Sequence, residues 1–148
     1  MQLQKYDLIL KKNGKSPISK LIHFFTKDIY NHAELYLGNY IICDAMPNGV
    51  KIRTFDSSLK EFDAFRYTGT ITSEQHKKIE EFIQKSINSK YDFVQLILQA
   101  LNLNFGHPKK YICIELVIEA FRYAGVPVGD WKKGFKQITD SKHFKKIN

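Results

Sequence analysis

The chain has 148 residues, 43% of them hydrophobic and 14% aromatic, which is enough for one packed core and fits a single domain over residues 1–148. Its formal net charge of +8 is mostly lysine, since Arg53, Arg66 and Arg122 are the only arginines. With so little of arginine's bidentate fork and no nucleic-acid motif, the charge does not point to DNA or RNA; it leaves an anionic membrane surface or an acidic substrate as partner.

Two cysteines, Cys43 and Cys113, exclude a scaffold stapled by several disulfides and suit a reducing compartment. The opening Met1-Gln2-Leu3-Gln4-Lys5 is charged where a secretory signal needs an apolar run. The most apolar run, Phe93 to Leu101, is far short of the roughly 20 residues that span a bilayer. A cytoplasmic protein, membrane-peripheral at most, is expected.

Asp7-Leu8-Ile9-Leu10 reads as a strand ending at Lys11-Lys12-Asn13-Gly14. Ser16 and Pro17 suit a helix start, and Ile18, Leu21, Ile22 and Phe25 continue at helical spacing. The period then becomes two. His32 to Met46 reads as a hairpin turning near Gly38-Asn39, followed by strands at Val50–Thr54 and Phe62–Tyr67. Thr72-Ser73-Glu74-Gln75 has the form of a capping box before a helix ending near Asn88. A more apolar helix is predicted from Tyr91 to about Leu103, and a third from Cys113 to Ala124, closed by Gly125 with Pro127 beyond. Strands followed by helices give an α+β domain, an antiparallel sheet packed against helices.

Side chains alternate along a strand, so the hairpin divides by parity. Odd positions (Ala33, Leu35, Leu37, Ile41, Cys43, Ala45) are apolar or small and form the inward face; His32, Glu34, Tyr36, Ile42 and Asp44 share the other. For His32 and Asp44 to lie on one face, the connection must hold an odd number of residues. Glu34 then stands opposite Asp44 with His32 diagonal to both, so either carboxylate could orient the imidazole. Cys113 opens a helix, where unpaired N–H groups and the helix dipole favour a thiolate. A histidine, a carboxylate and a helix-start cysteine are the set that nucleophilic thiol catalysis requires. No Cys-x-x-Cys or His-x-x-x-His pair is present, so neither metal nor other cofactor is expected.

The segments Tyr30-Asn31-His32-Ala33-Glu34-Leu35-Tyr36-Leu37-Gly38, Asp44-Ala45-Met46-Pro47-Asn48-Gly49-Val50-Lys51-Ile52 and Tyr111-Ile112-Cys113-Ile114-Glu115-Leu116-Val117 resemble the circularly permuted NlpC/P60 papain-like proteins of the YiiX type. Ordinary papain-like enzymes place the cysteine helix before the histidine strand. Here His32 precedes Cys113, as in the permuted group and its relative lecithin retinol acyltransferase. The resemblance implies a papain-like fold with Cys113 as nucleophile, His32 as base and Asp44 as third polar member, with Glu34 as alternative orienting acid. Tyr6, Ile114 and Asp44 depart from residues usual in that group, and the shorter aspartate leaves the choice between Asp44 and Glu34 open. The backbone N–H of Cys113 is the natural oxyanion donor, with Tyr111 a second candidate contact. The resemblance further implies a thiol hydrolase or acyltransferase acting on a peptide, amide or acyl-lipid substrate; a catalytically silent lipid- or peptide-binding module of the same fold is the alternative.

Overall fold

The computed structural model describes residues 2–12, 20, 28–56, 58, 61–91 and 110–148. The helix predicted from Ser16 to Phe25 (Lys20 apart) and the apolar helix predicted after Tyr91 lie outside the described residues. Six strands form one antiparallel sheet: β1 (Leu8–Lys12), β2 (Tyr30–Gly38), β3 (Ile41–Met46), β4 (Gly49–Thr54), β5 (Phe62–Tyr67) and β8 (Phe144–Lys146), in the order β4-β3-β2-β1-β5-β8. A parallel pair, β6 (Lys90–Tyr91) and β7 (Lys110–Tyr111), lies by β4. The helices with described bounds are α1 (Ser73–Ser86), α2 (Cys113–Tyr123) and the short α3 (Lys136–Thr139), preceded by a 3-10 turn at Trp131–Lys133. The expected α+β class, with an antiparallel sheet packed against helices, is what the chain adopts. The sequence reading assigned no element beyond Pro127, so α3 and β8 are additions to it.

The hairpin turn has an instructive construction. Asn39 and Tyr40 both have positive φ, the pairing of left-handed residues that a tight two-residue hairpin turn needs. Alone, such a turn would put His32 and Asp44 on opposite faces. A register shift between Tyr36 and Gly38 supplies the extra residue, so Glu34 pairs with Asp44 and Leu35 with Cys43. The odd-length register is reached by turn plus bulge.

The odd face packs as expected where the helices cover it. Leu8, Leu10, Ala33, Leu35, Cys43 and Ala45 join Ile79 and Phe82 of α1 and Ile114, Val117, Ile118 and Phe121 of α2 in one core. The α2 residues recur at helical spacing, and each such buried side chain contributes about 1.5–3 kcal/mol. That anchoring fixes the start of α2 against β2 and β3. Ile41 departs from its expected inward position: it is 40% exposed, at the outer end of β3. The other face carries a small cluster of Ile9, Tyr36, Ile42 and Phe55 beside a buried polar group. Thr72 caps α1 as predicted, its hydroxyl accepting from the Gln75 N–H while the Gln75 side chain accepts from the Thr72 N–H. Gly49, at φ 104°, ends the tight turn into β4, and a Cβ there would stand 2.6 Å from the Ser89 carbonyl oxygen. Among the described residues, no helix is long and apolar enough to cross a membrane.

Candidate active site

Three strands converge on His32. Lys11 pairs with His32 and Lys12 with Tyr30, leaving Asn31 as an extra residue just before the histidine. Such a bulge re-aims the side chain that follows it. The imidazole is 15% exposed and its Nε2 lies 2.8 Å from Asp44 Oδ2. Glu34 Oε1 is 3.7 Å from the same nitrogen, beyond hydrogen-bond length. Of the two carboxylates the sequence left open, Asp44 is the one bonded to the ring.

Two cations that the sequence reading did not single out complete the group. Arg53 of β4 donates from Nε to both Asp44 oxygens at 3.1 Å, and from Nη2 to Asp44 Oδ2 at 2.5 Å and Glu34 Oε1 at 2.9 Å. Lys11 Nζ stands 2.6 Å from Glu34 Oε1. A signal for Arg53 was present in the sequence. The tight Pro47-Asn48 turn pairs Met46 with Gly49 and Ile42 with Arg53, which puts Arg53 on the face of Asp44.

Cys113 is the first residue of α2 and is 3% exposed. Ile112 precedes it as a cap with no side-chain acceptor, so the first-turn N–H groups receive none from it. The Glu115 carboxylate instead accepts from the Ile112 N–H at 3.4 Å, steadying the chain entering the helix. The helix that Cys113 opens packs against β2, the strand of His32, and Cys113 is among the groups that raise the His32 ring. Tyr111 lies in β7 by its backbone, and its side chain is outside the described residues.

The electrostatics separate the groups. Burial works against a charged His32, but the hydrogen bonds to Asp44 and Cys113, together with their negative charges, outweigh it and raise the ring from 6.5 to about 10. Burial would push Asp44 up, yet the hydrogen bonds from His32 and Arg53 hold it below the usual carboxylate range. Cys43 is driven by burial, and further by the Asp44 charge, up to about 12. It stays a protonated core thiol, as its inward parity suggested.

His32, Glu34 and Asp44 each present one ligand atom within 4.8 Å of the others, a donor set able in kind to hold a divalent cation. Glu34 Oε2 is buried and has no hydrogen-bond partner among the described residues, which favours such an ion. Arg53 and Lys11 oppose it, because they already stand against the same oxygens. A doubly charged ion about 4 Å from one unit charge meets roughly 8 kcal/mol of repulsion at an effective dielectric constant of about 20. With both cations in place, the donors do not fit a metal.

No protein-family model and no curated protein matches the chain. Among solved structures it is similar to the crystal structure of the metalloprotein YiiX from Escherichia coli O157:H7, with a TM-score of 0.72 and 18% identity, over 100% of this chain and 98% of that one. The likeness is one of fold, and the chain has a YiiX-like architecture along its whole length.

Proposed function

We propose that residues 1–148 form one permuted papain-like (NlpC/P60) domain that acts as a cysteine hydrolase or acyltransferase on an amide or acyl ester bond. The observation that supports this reading best is the combination of three groups: Cys113 at a helix start packed on the strand of His32, His32 electrostatically coupled to it, and Asp44 bonded to Nε2 of the ring. With Nε2 committed to Asp44, Nδ1 is the nitrogen left to exchange a proton with the thiol.

In this mechanism His32 holds the Cys113 proton and the thiolate attacks the substrate carbonyl. Negative charge developing on the carbonyl oxygen is met by the N–H of Cys113 and the positive end of α2. The imidazolium then returns its proton to the leaving amine or alcohol, and a thioester remains on Cys113. Attack by water or another acceptor, deprotonated by His32, releases the acyl group and restores the thiol. Asp44 keeps the ring oriented and offsets its charge throughout.

YiiX is described as a metalloprotein. In this chain Arg53 and Lys11 stand against Glu34 Oε1 and Asp44 Oδ2, oxygens that could hold an ion, so no step is assigned to a metal. A peptide or amide and an acyl lipid both suit a thioester route, and the lysine excess would favour anionic forms or an anionic membrane surface. The test is incubation with thiol-reactive acyl and peptide probes, followed by mass spectrometry. Adducts on Cys113 and not on Cys43, lost in His32→Ala, are expected. Equal labelling of both cysteines, or labelling indifferent to His32, would favour a silent binding module instead.

A further inference from the structure

Glu34 and Asp44 face one another across β2 and β3, and neither has any exposed surface. Two carboxylates this close and this buried remain ionised only beside positive charge. In many proteins that charge is a bound ion; here it comes from the chain. Arg53 enters from β4 with its side chain 40% exposed, spans both oxygens of Asp44 with Nε, and reaches Glu34 with Nη2 at 2.9 Å. A planar guanidinium is suited to this bridging, because its donors are fixed in a fork and its charge is permanent. Lys11 Nζ meets the same Glu34 oxygen, Oε1, at 2.6 Å.

We infer that Arg53 is the built-in substitute for a divalent cation at this site: it bridges Asp44 and Glu34, keeps His32 in place through Asp44, and excludes metal from donors that would otherwise bind one. With the guanidinium gone, the three ligand atoms of His32, Glu34 and Asp44, within 4.8 Å of one another, are left facing one cation, Lys11, instead of two, and can take a metal ion. Glu34 Oε2, unpartnered among the described residues, is then a further free donor. Arg53 is thus a positioning residue whose removal changes what the site binds.

The inference concerns the same residues as the thiol reading but does not depend on it, because metal content is read without turnover. Wild-type protein, Arg53→Ala, Arg53→Lys and the double variant Arg53→Ala/Asp44→Asn are each equilibrated with Zn²⁺ or Mn²⁺, desalted, and assayed for metal by mass spectrometry, with folding followed by circular dichroism. Wild type and Arg53→Lys are expected to retain no stoichiometric metal. Arg53→Ala should retain one ion per chain, lost again in the double variant and displaced by added guanidinium. A wild-type protein that holds one equivalent, removed by Asp44→Asn, overturns the inference; so does a folded Arg53→Ala that holds none. If Arg53→Ala does not fold, the wild-type and Arg53→Lys measurements decide, and one equivalent in either overturns it.

Discussion

Two buried carboxylate clusters sit on opposite faces of the sheet, fed by consecutive residues of β1. Lys11 turns to Glu34 on the face of His32 and Asp44, while Lys12 turns to Asp63 on the core face, at 2.9 Å. Asp63 is also held by Lys146 at 2.9 Å and by the Tyr30 hydroxyl at 2.5 Å. Each cluster thus has two cations and one ring that can carry a proton, set against two carboxylates on the His32 face and one on the other. The rings differ. Burial and the Asp63 charge push the Tyr30 hydroxyl well above its ordinary 10, so it remains a fixed donor, whereas His32 is charged at neutral pH and has a thiol beside it. A buried charge cluster becomes a candidate for chemistry when its ring can accept and return a proton to a nucleophile. Without that it ties strands together.

The largest effects separate the two thiols. Cys113→Ser should abolish adduct formation with acyl probes, with a thermal midpoint close to wild type. Cys43→Ser should leave adduct formation intact and cost about 1–3 kcal/mol in chemical denaturation, because it buries a hydroxyl in an apolar core. If Cys43→Ser also stopped adduct formation in folded protein, the division between core and reactive thiol would be wrong.

Within the charged face, Asp44→Asn should reduce turnover by about 10⁴-fold, the scale seen when an orienting carboxylate is neutralised. Glu34→Gln should have a smaller effect, since Glu34 Oε1 is 3.7 Å from the ring. The reverse order, in steady-state rates with the probe substrate, would move the orienting role to Glu34. The same bond sets a pH dependence. A ring at 6.5 when unfolded and about 10 when folded contributes stability that is fully present below pH 6.5 and is lost as pH rises through about 10. NMR titration of the His32 ring should show it charged at neutral pH in wild type and less basic in Asp44→Asn; an unshifted ring would remove the basis for the pairing.

Much of this geometry was legible from the sequence because period-two patterning is a local signal. Parity with an odd-length connection put His32, Glu34 and Asp44 on one face and Cys43 on the other, while the Thr72 capping box set the start of α1 and the change to a helical pattern at Cys113 that of α2. The choice between Asp44 and Glu34 was not legible, because it depends on side-chain reach within a register both residues share. Asp63 and Tyr30 were missed for another reason. They meet only because β1 joins β2 to β5, and a non-local strand order leaves no periodic trace. Phe144–Lys146 was overlooked likewise, since a three-residue edge strand is too short to show alternation.

The smallest predicted effect tests whether the two faces are independent. Tyr30→Phe removes one donor from Asp63 while keeping the ring against Phe65 and Phe135. A hydrogen bond to a charged group contributes about 1.5–3 kcal/mol. The lower end applies here, because Lys12 and Lys146 stay to neutralise the carboxylate and both are partly open to water, at 30% and 47%. The expected loss is about 1.5 kcal/mol, or roughly 3–6 °C in Tm. Alkylation of Cys113 should proceed at the wild-type rate, since the lost hydroxyl contacts no member of the other cluster. The faces do share a backbone, however: Tyr30 pairs with Lys12 across the bulge that precedes His32. A slower alkylation rate in folded Tyr30→Phe would therefore mean that the Asp63 cluster holds that bulge in register, and that the second face helps to aim the histidine.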